Sequence, residues 1–145
     1  MPTAETLRAL IALVEEAKAG SRELDIELWA LHGDRRVRDV EGKLAYYETV
    51  KGGLWIRGIK PLRSLVPFYT TSIDAALALV AKVLPTWSLR LSTSEGYHHP
   101  NVGMGRSYPT NKSTSVDHHS SALAIILAML KALLIEAEET VHVER

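Results

Sequence analysis

The chain contains no cysteine, so disulfides and thiolate metal sites play no part in it, and a reducing compartment is the matching environment. It carries no surplus of either charge: 17 Lys and Arg balance 17 Asp and Glu. Polymeric nucleic acid is held largely by excess cations, so this balance argues against such a partner. Long apolar runs are lacking as well. The longest, residues 122–135, is interrupted by Lys131 and is too short to cross a bilayer. Glu5 falls early in a segment with no basic-then-apolar leader pattern. The expected setting is a cytoplasm, with no membrane partner. No internal repeat, P-loop, dinucleotide fingerprint or G-x-S-x-G elbow is present, and GMGRS (residues 103–107) lacks the third glycine of a nucleotide loop. No cofactor is implied.

What the chain does have is enough apolar residue to fold, 46% of 145. That length is close to the commonest domain size, so a single domain spanning residues 1–145 is expected. Thr3 is a suitable N-cap for a helix over residues 4–18, with Leu7, Leu10, Ile11 and Val14 on one face. Ser21 starts a second helix with Leu24, Leu28 and Leu31 aligned, ending at Gly33. Residues 34–50 show strand-like pieces without a clean period, and LWIRGI (residues 54–59) reads as a strand. Thr71 and Asp74 match a capping box for a helix reaching about residue 83, where Pro85 forbids continuation. Trp87, Leu89 and Leu91 alternate with Ser88, Arg90 and Ser92, a strand with one buried face. Residues 93–117 are rich in Gly, Ser, Thr and Pro and read as a long loop, with a second strand near residues 101–107 weakened by Gly103 and Gly105. A closing helix runs from about Ser120 to Glu139 with Leu123, Ile126, Leu127, Leu130 and Leu134 in a broad stripe. The expected fold class is α+β, an α/β/α sandwich with a mostly antiparallel sheet and helices packed on its faces.

LDIELWALHG (residues 24–33), PFYTTSIDAALALV (residues 67–80), a tryptophan before a strand, and SSALAIILAMLKALL (residues 120–134) follow one another in a specific order. In that order and spacing the chain resembles the phage ABA-sandwich domain family, small α/β/α proteins of phages and prophages. The resemblance spans roughly residues 24–134. It departs at Ser120 and Ser121, where the family has a small residue and a proline, and at Tyr46–Tyr47, which have no family counterpart. The resemblance implies a phage-encoded accessory protein acting in the host bacterial cytoplasm. By analogy of role, it implies a sponge that sequesters a nucleotide-type host defence signal.

Candidate ligand residues fall in three places. At the mouth of the middle helix, Tyr69 and Thr71 stand beside backbone amides able to cradle an anion; capping alone explains the same residue types. In the basic segment VKGGLWIRGIKPLR, Trp55, Arg57 and Lys60 combine a ring with cations suited to a base and a phosphate; an edge guarded by Lys and Arg looks the same. In the polar loop, Tyr97, His98, Arg106, Tyr108 and Asn111 add rings, amides and charge. His98–His99 and Asp117–His118–His119 lack the spacing of a metal site, and no metal is expected.

Three functions compete. One is a non-catalytic binder of a nucleotide-like small molecule. Another is a hydrolase of a nucleotide or phosphorylated substrate working through His98, His99, His118 or Asp117. The last is an interaction protein with no small-molecule ligand. No catalytic residue is assigned. The wide stripe of the closing helix, with Leu133 and Ile135 off its main line, fits a homo-oligomer. It fits equally a helix enclosed at the centre of a three-layer fold.

Overall fold

The computed structural model describes residues 3–32, 36–38, 44–46, 66–92, 100–108 and 110–143. Helix α1, Ala4–Glu16, begins where Thr3 Oγ1 accepts from the Thr6 amide at 3.1 Å, which satisfies one of the orphan donors of the first turn. Leu7, Leu10, Ile11 and Val14 are its buried face, as their spacing predicts. Each contributes about 1.5–3 kcal/mol by leaving water. Helix α2, Arg22–His32, follows after Gly20. A methyl group on Gly20 would stand 2.2 Å from the carbonyl oxygen of Thr70. Only glycine therefore lets this turn approach residues 66–72.

Strands β1, Arg36–Arg38, and β2, Leu44–Tyr46, pair antiparallel as a separate two-stranded ribbon. The strand expected at residues 54–59 lies outside the described residues.

Helix α3 is Ile73–Val83, and its N-cap is Ser72, not Thr71: Ser72 Oγ accepts from the Ala75 amide at 3.2 Å. The cap expected at Thr71 thus moves to Ser72, and the capping box is lost because Ala75 stands at the position where the acid would be needed. The cause lies one position earlier, where Thr70 turns inward to Asp25 and the chain enters the helix a residue later.

Strand β3 is Ser88–Ser92. The strand expected near residues 101–107 is present as β4, Asn101–Arg106, and residues expected to continue the loop form its hairpin partner β5, Lys112–Asp117. The three strands form one antiparallel sheet in the order β3-β4-β5. Helix α4, Ser121–Val143, closes the fold, and Ser120 Oγ caps it by accepting from the Leu123 amide.

The architecture is α+β, helices packed on an antiparallel sheet. α4 lies against β4 and β5 on one side and against α1 and α3 on the other. Every residue from Ala122 to Leu130 is buried, which is what a helix enclosed on all sides requires. Ala124, Ala128 and Ala132 are fully covered. Leu133 and Ile135 pack partly buried on the same core. Among the described residues no helix is long and apolar enough to cross a membrane.

Candidate ligand-binding site

Side chains alternate between the two faces of a strand. In the sheet, Leu89, Leu91, Val102, Met104, Thr114 and Val116 take the face covered by α4. The other face is built from small and polar residues. The register sets them in three cross-strand rows: Ser88, Gly105 and Ser113; then Arg90, Gly103 and Ser115; then Ser92, Asn101 and Asp117. The central strand is bare at two successive positions of this face. Its flanking strands therefore stand as walls over a floor of peptide. A trough of about 620 Å³ results, bounded by residues 88–90, 103–105 and 113–115.

Among the described residues, nothing crowds either floor glycine enough to require it. A methyl group on Gly105 would make ordinary contacts, 3.5 Å from the Lys112 carbonyl oxygen and 3.7 Å from Ser113 Cβ. Among the described residues, one on Gly103 would meet only Arg90 Nη2, at 4.0 Å. Both residues have backbone angles open to any L-residue. Glycine inside a strand loses more entropy on folding than alanine and packs nothing, so two of them at the centre of a sheet are destabilising. A strand glycine with no steric duty marks a place where something else approaches the backbone.

The guanidinium that overlies Gly103 is the cation of this face. Arg90 is exposed and, among the described residues, has no carboxylate partner. Ser88, Ser113 and Ser115 surround it with hydroxyls, of which Ser88 donates to the Gly105 carbonyl at 3.2 Å. An anion in the trough would meet a forked donor, hydroxyls and peptide with no side chain between.

The residues singled out from sequence are distributed otherwise. Trp55, Arg57, Lys60, Tyr97 and His98 lie outside the described residues. Arg106 is on the covered face of β4, where it is buried and ion-paired to Glu136 and Glu139 of α4. These carboxylates hold its guanidinium pKa above the ordinary value, the hydrogen bond it donates to Glu139 contributing most. Tyr108 is 83% exposed and Asn111 is exposed, both in the turn between β4 and β5. Tyr69 belongs to the core; burial, and then the charge of Asp25, raises its phenol above the ordinary range. Thr71 is exposed beside Gly20. Among the described residues, the trough therefore brings together Arg90, three serines and two glycines rather than the predicted set. The signal for it was the shared two-residue spacing of Ser88 and Arg90, Gly103 and Gly105, Ser113 and Ser115, which places all six on one face once the strands pair.

Two other polar groups resolve as structural. Asp25, fully buried, accepts from Arg22 Nη1 at 2.9 Å, from the Thr70 amide at 2.8 Å and from the Thr70 hydroxyl at 2.7 Å. Arg22 continues to the carbonyls of Val66 and Pro67 and stacks over Phe68. The carboxylate thus ties α2 to residues 66–72. His118 is buried between helix ends: its Nδ1 accepts from the Ser120 amide, which leaves the proton on Nε2 to donate to the Val14 carbonyl at 3.2 Å. His119 contacts the Lys18 carbonyl. The pair fastens the start of α4 to the end of α1, satisfying carbonyls that a helix end leaves open. Among the described residues no group of three His, Cys, Asp or Glu is placed to hold a metal ion.

No protein-family model, no curated protein and no solved structure matches the chain.

Proposed function

We propose that the protein is a non-catalytic binder of a nucleotide-type small molecule whose phosphate lies in the trough of the β3-β4-β5 sheet. The observation that carries this reading is Arg90, without a carboxylate partner among the described residues, beside a floor of two glycines that no described residue crowds. A guanidinium fork matches phosphate oxygens two at a time. The hydroxyls of Ser113 and Ser115 supply the remaining donors, since Ser88 donates to the Gly105 carbonyl, and bare peptide lets the anion come close. The volume of about 620 Å³ falls within the range of small-molecule sites, roughly 300–1,000 Å³.

Turnover would need a general base within hydrogen-bond reach of the bound group. His118, the histidine nearest in sequence to the trough, already uses both ring nitrogens on backbone groups. Asp117 stands on the open face beside the trough, tied to Asn101, and His98 and His99 lie outside the described residues, so the binder reading rests on the charge and shape of the trough and not on the lack of a base. The resemblance to phage ABA-sandwich proteins extends the proposal to a role: a phage-encoded sponge that withholds a nucleotide signal from host defence.

The test is a thermal-shift panel of nucleotides on the purified chain and on Arg90→Ala. A ligand present at a hundredfold its Kd adds about 2.7 kcal/mol to stability. The shift should vanish in Arg90→Ala while the unliganded melting temperature stays that of the parent. Heat-released ligand should be chemically unchanged. A panel with no shift in the parent, or an undiminished shift in the variant, refutes the assignment.

A further inference from the structure

We infer that the trough selects a phosphorylated ribose, with the phosphate at Arg90 and the vicinal sugar hydroxyls at Asp117; this rests on the phosphate reading above. The row beyond Arg90 on the same face is Ser92, Asn101 and Asp117. Asn101 Nδ2 donates to Asp117 Oδ1 at 2.7 Å and to Ser115 Oγ at 3.2 Å. Both amide hydrogens are thereby engaged. Asp117 Oδ2 and Asn101 Oδ1 are left as acceptors with no partner among the described residues. This row, which adjoins the trough beyond Arg90, Gly103 and Ser115, is therefore acceptor-rich and negative, while the trough itself is donor-rich and positive.

That polarity orients a ligand. An anionic group is repelled from Asp117 and drawn to Arg90, and the group that meets Asp117 has to offer donors. Equivalent positions along one face of a strand are two residues apart, about 6.8 Å. The guanidinium lies over Gly103, and the carboxylate is tied to Asn101, one such step along β4. Arg90 leans toward β4 from β3 and Asp117 is drawn to it from β5, so this step is the lengthwise part of the span a ligand has to bridge, and a ribonucleotide holds its phosphate and its diol apart on that scale. A carboxylate is the group suited to such a diol, since its oxygens accept from adjacent hydroxyls. An α-amino acid also pairs an anion with donors, but its two ends are too close to span the step. Inorganic phosphate would leave the acceptor end unanswered.

Calorimetric titration of the intact chain with adenosine monophosphate, its dideoxy analogue lacking both ribose hydroxyls, ribose phosphate and inorganic phosphate tests the inference. The two diol-bearing probes should bind roughly tenfold or more tightly than the dideoxy analogue. In Asp117→Ala that preference should disappear, with dideoxy binding not weakened. In Arg90→Ala all phosphorylated probes should weaken together. Thermal melts matching the parent certify the variants, and the comparison of probes on the unaltered protein stands without them. Equal affinity for the ribose and dideoxy probes, still lost in Arg90→Ala, overturns the diol assignment alone. Absence of binding by every phosphorylated probe overturns the phosphate reading and this inference with it.

Discussion

Trp87 and Arg106 meet on one carboxylate. Glu136 Oε1 accepts from the indole Nε1 at 2.7 Å and also from the Arg106 guanidinium, whose Cζ lies 5.4 Å from the Trp87 ring centroid. A second carboxylate, Glu139, takes the other arm of Arg106 and the hydroxyl of Thr110. This cluster locks the later turns of α4 against β4, beneath the floor of the trough. Its loss should matter far more than that of a surface pair. Arg106→Met is expected to lower the melting temperature well beyond Arg8→Ala, whose exposed pair with Glu138 is worth about 0.2–1 kcal/mol. Chemical denaturation of the two variants side by side measures the difference. Equal losses would mean that Arg106 anchors nothing.

The same cluster sets an acid limit on stability. The hydrogen bond from Arg106, then that from Thr110, holds Glu139 below the ordinary glutamate value of 4.5. A carboxyl group whose pKa is lowered by folding stabilises the native state at pH values above its unfolded pKa. That contribution fades as pH falls from there through the lowered native pKa. Arg106 keeps its charge throughout, so the dependence belongs to the carboxylate. The parent should therefore be more stable than Glu139→Gln at pH 7, and the gap should narrow on acidification below about pH 4.5. Melting curves across that interval decide it; a gap independent of pH contradicts the assignment.

Asp25 and Thr70 are expected to be the most sensitive polar pair. Removing the acid takes the buried acceptor away from the Thr70 amide and breaks the bonds that Arg22 and the Thr70 hydroxyl make to it. Breaking a buried charge pair from one side costs about 3–5 kcal/mol, which is the expected effect of Asp25→Ala. Thr70→Val keeps the volume but deprives both Asp25 and the Ser21 amide of the hydroxyl, at about 1–3 kcal/mol. The double variant should lose less than the sum, because both changes remove the same bonds. Urea unfolding of the three variants gives the coupling energy, and strict additivity would show that the two residues act separately.

How far these features were legible in the sequence depended on how local their causes are. Thr3 and the apolar positions Leu7, Leu10, Ile11 and Val14 define α1 within one short window, and the structure matches them. Strand β3 was visible for the same reason, since Leu89 and Leu91 alternate with polar neighbours. β5 was hidden because KSTSVD carries few strand-favouring residues and only Val116 is buried in it; its structure comes from pairing with β4. Arg106 looked like a ligand residue because its partners, Glu136 and Glu139, are 30 and 33 positions away. Thr71 was taken for a cap because nothing near it announces that Thr70 is held by Asp25, 45 positions earlier. Arg90 read as a plain outward strand residue. It becomes a candidate only when the register sets it over Gly103.

The two floor glycines offer a test in which stability and binding move in opposite directions. Gly103→Ala and Gly105→Ala place methyl groups in space that is open or in ordinary contact. Each should stabilise the chain by about 0.5–1 kcal/mol, chiefly by reducing the freedom of the unfolded state. The same methyl groups stand on the floor of the trough, where they hold an incoming phosphate off the peptide. Binding should therefore weaken as the melting temperature rises, the pattern expected where a fold gives up stability for a site. Denaturation and titration on the same samples separate the alternatives. If alanine destabilises either position, the glycine serves the backbone and not a ligand. If stability rises while nucleotide affinity is unchanged, the ligand does not rest on this floor.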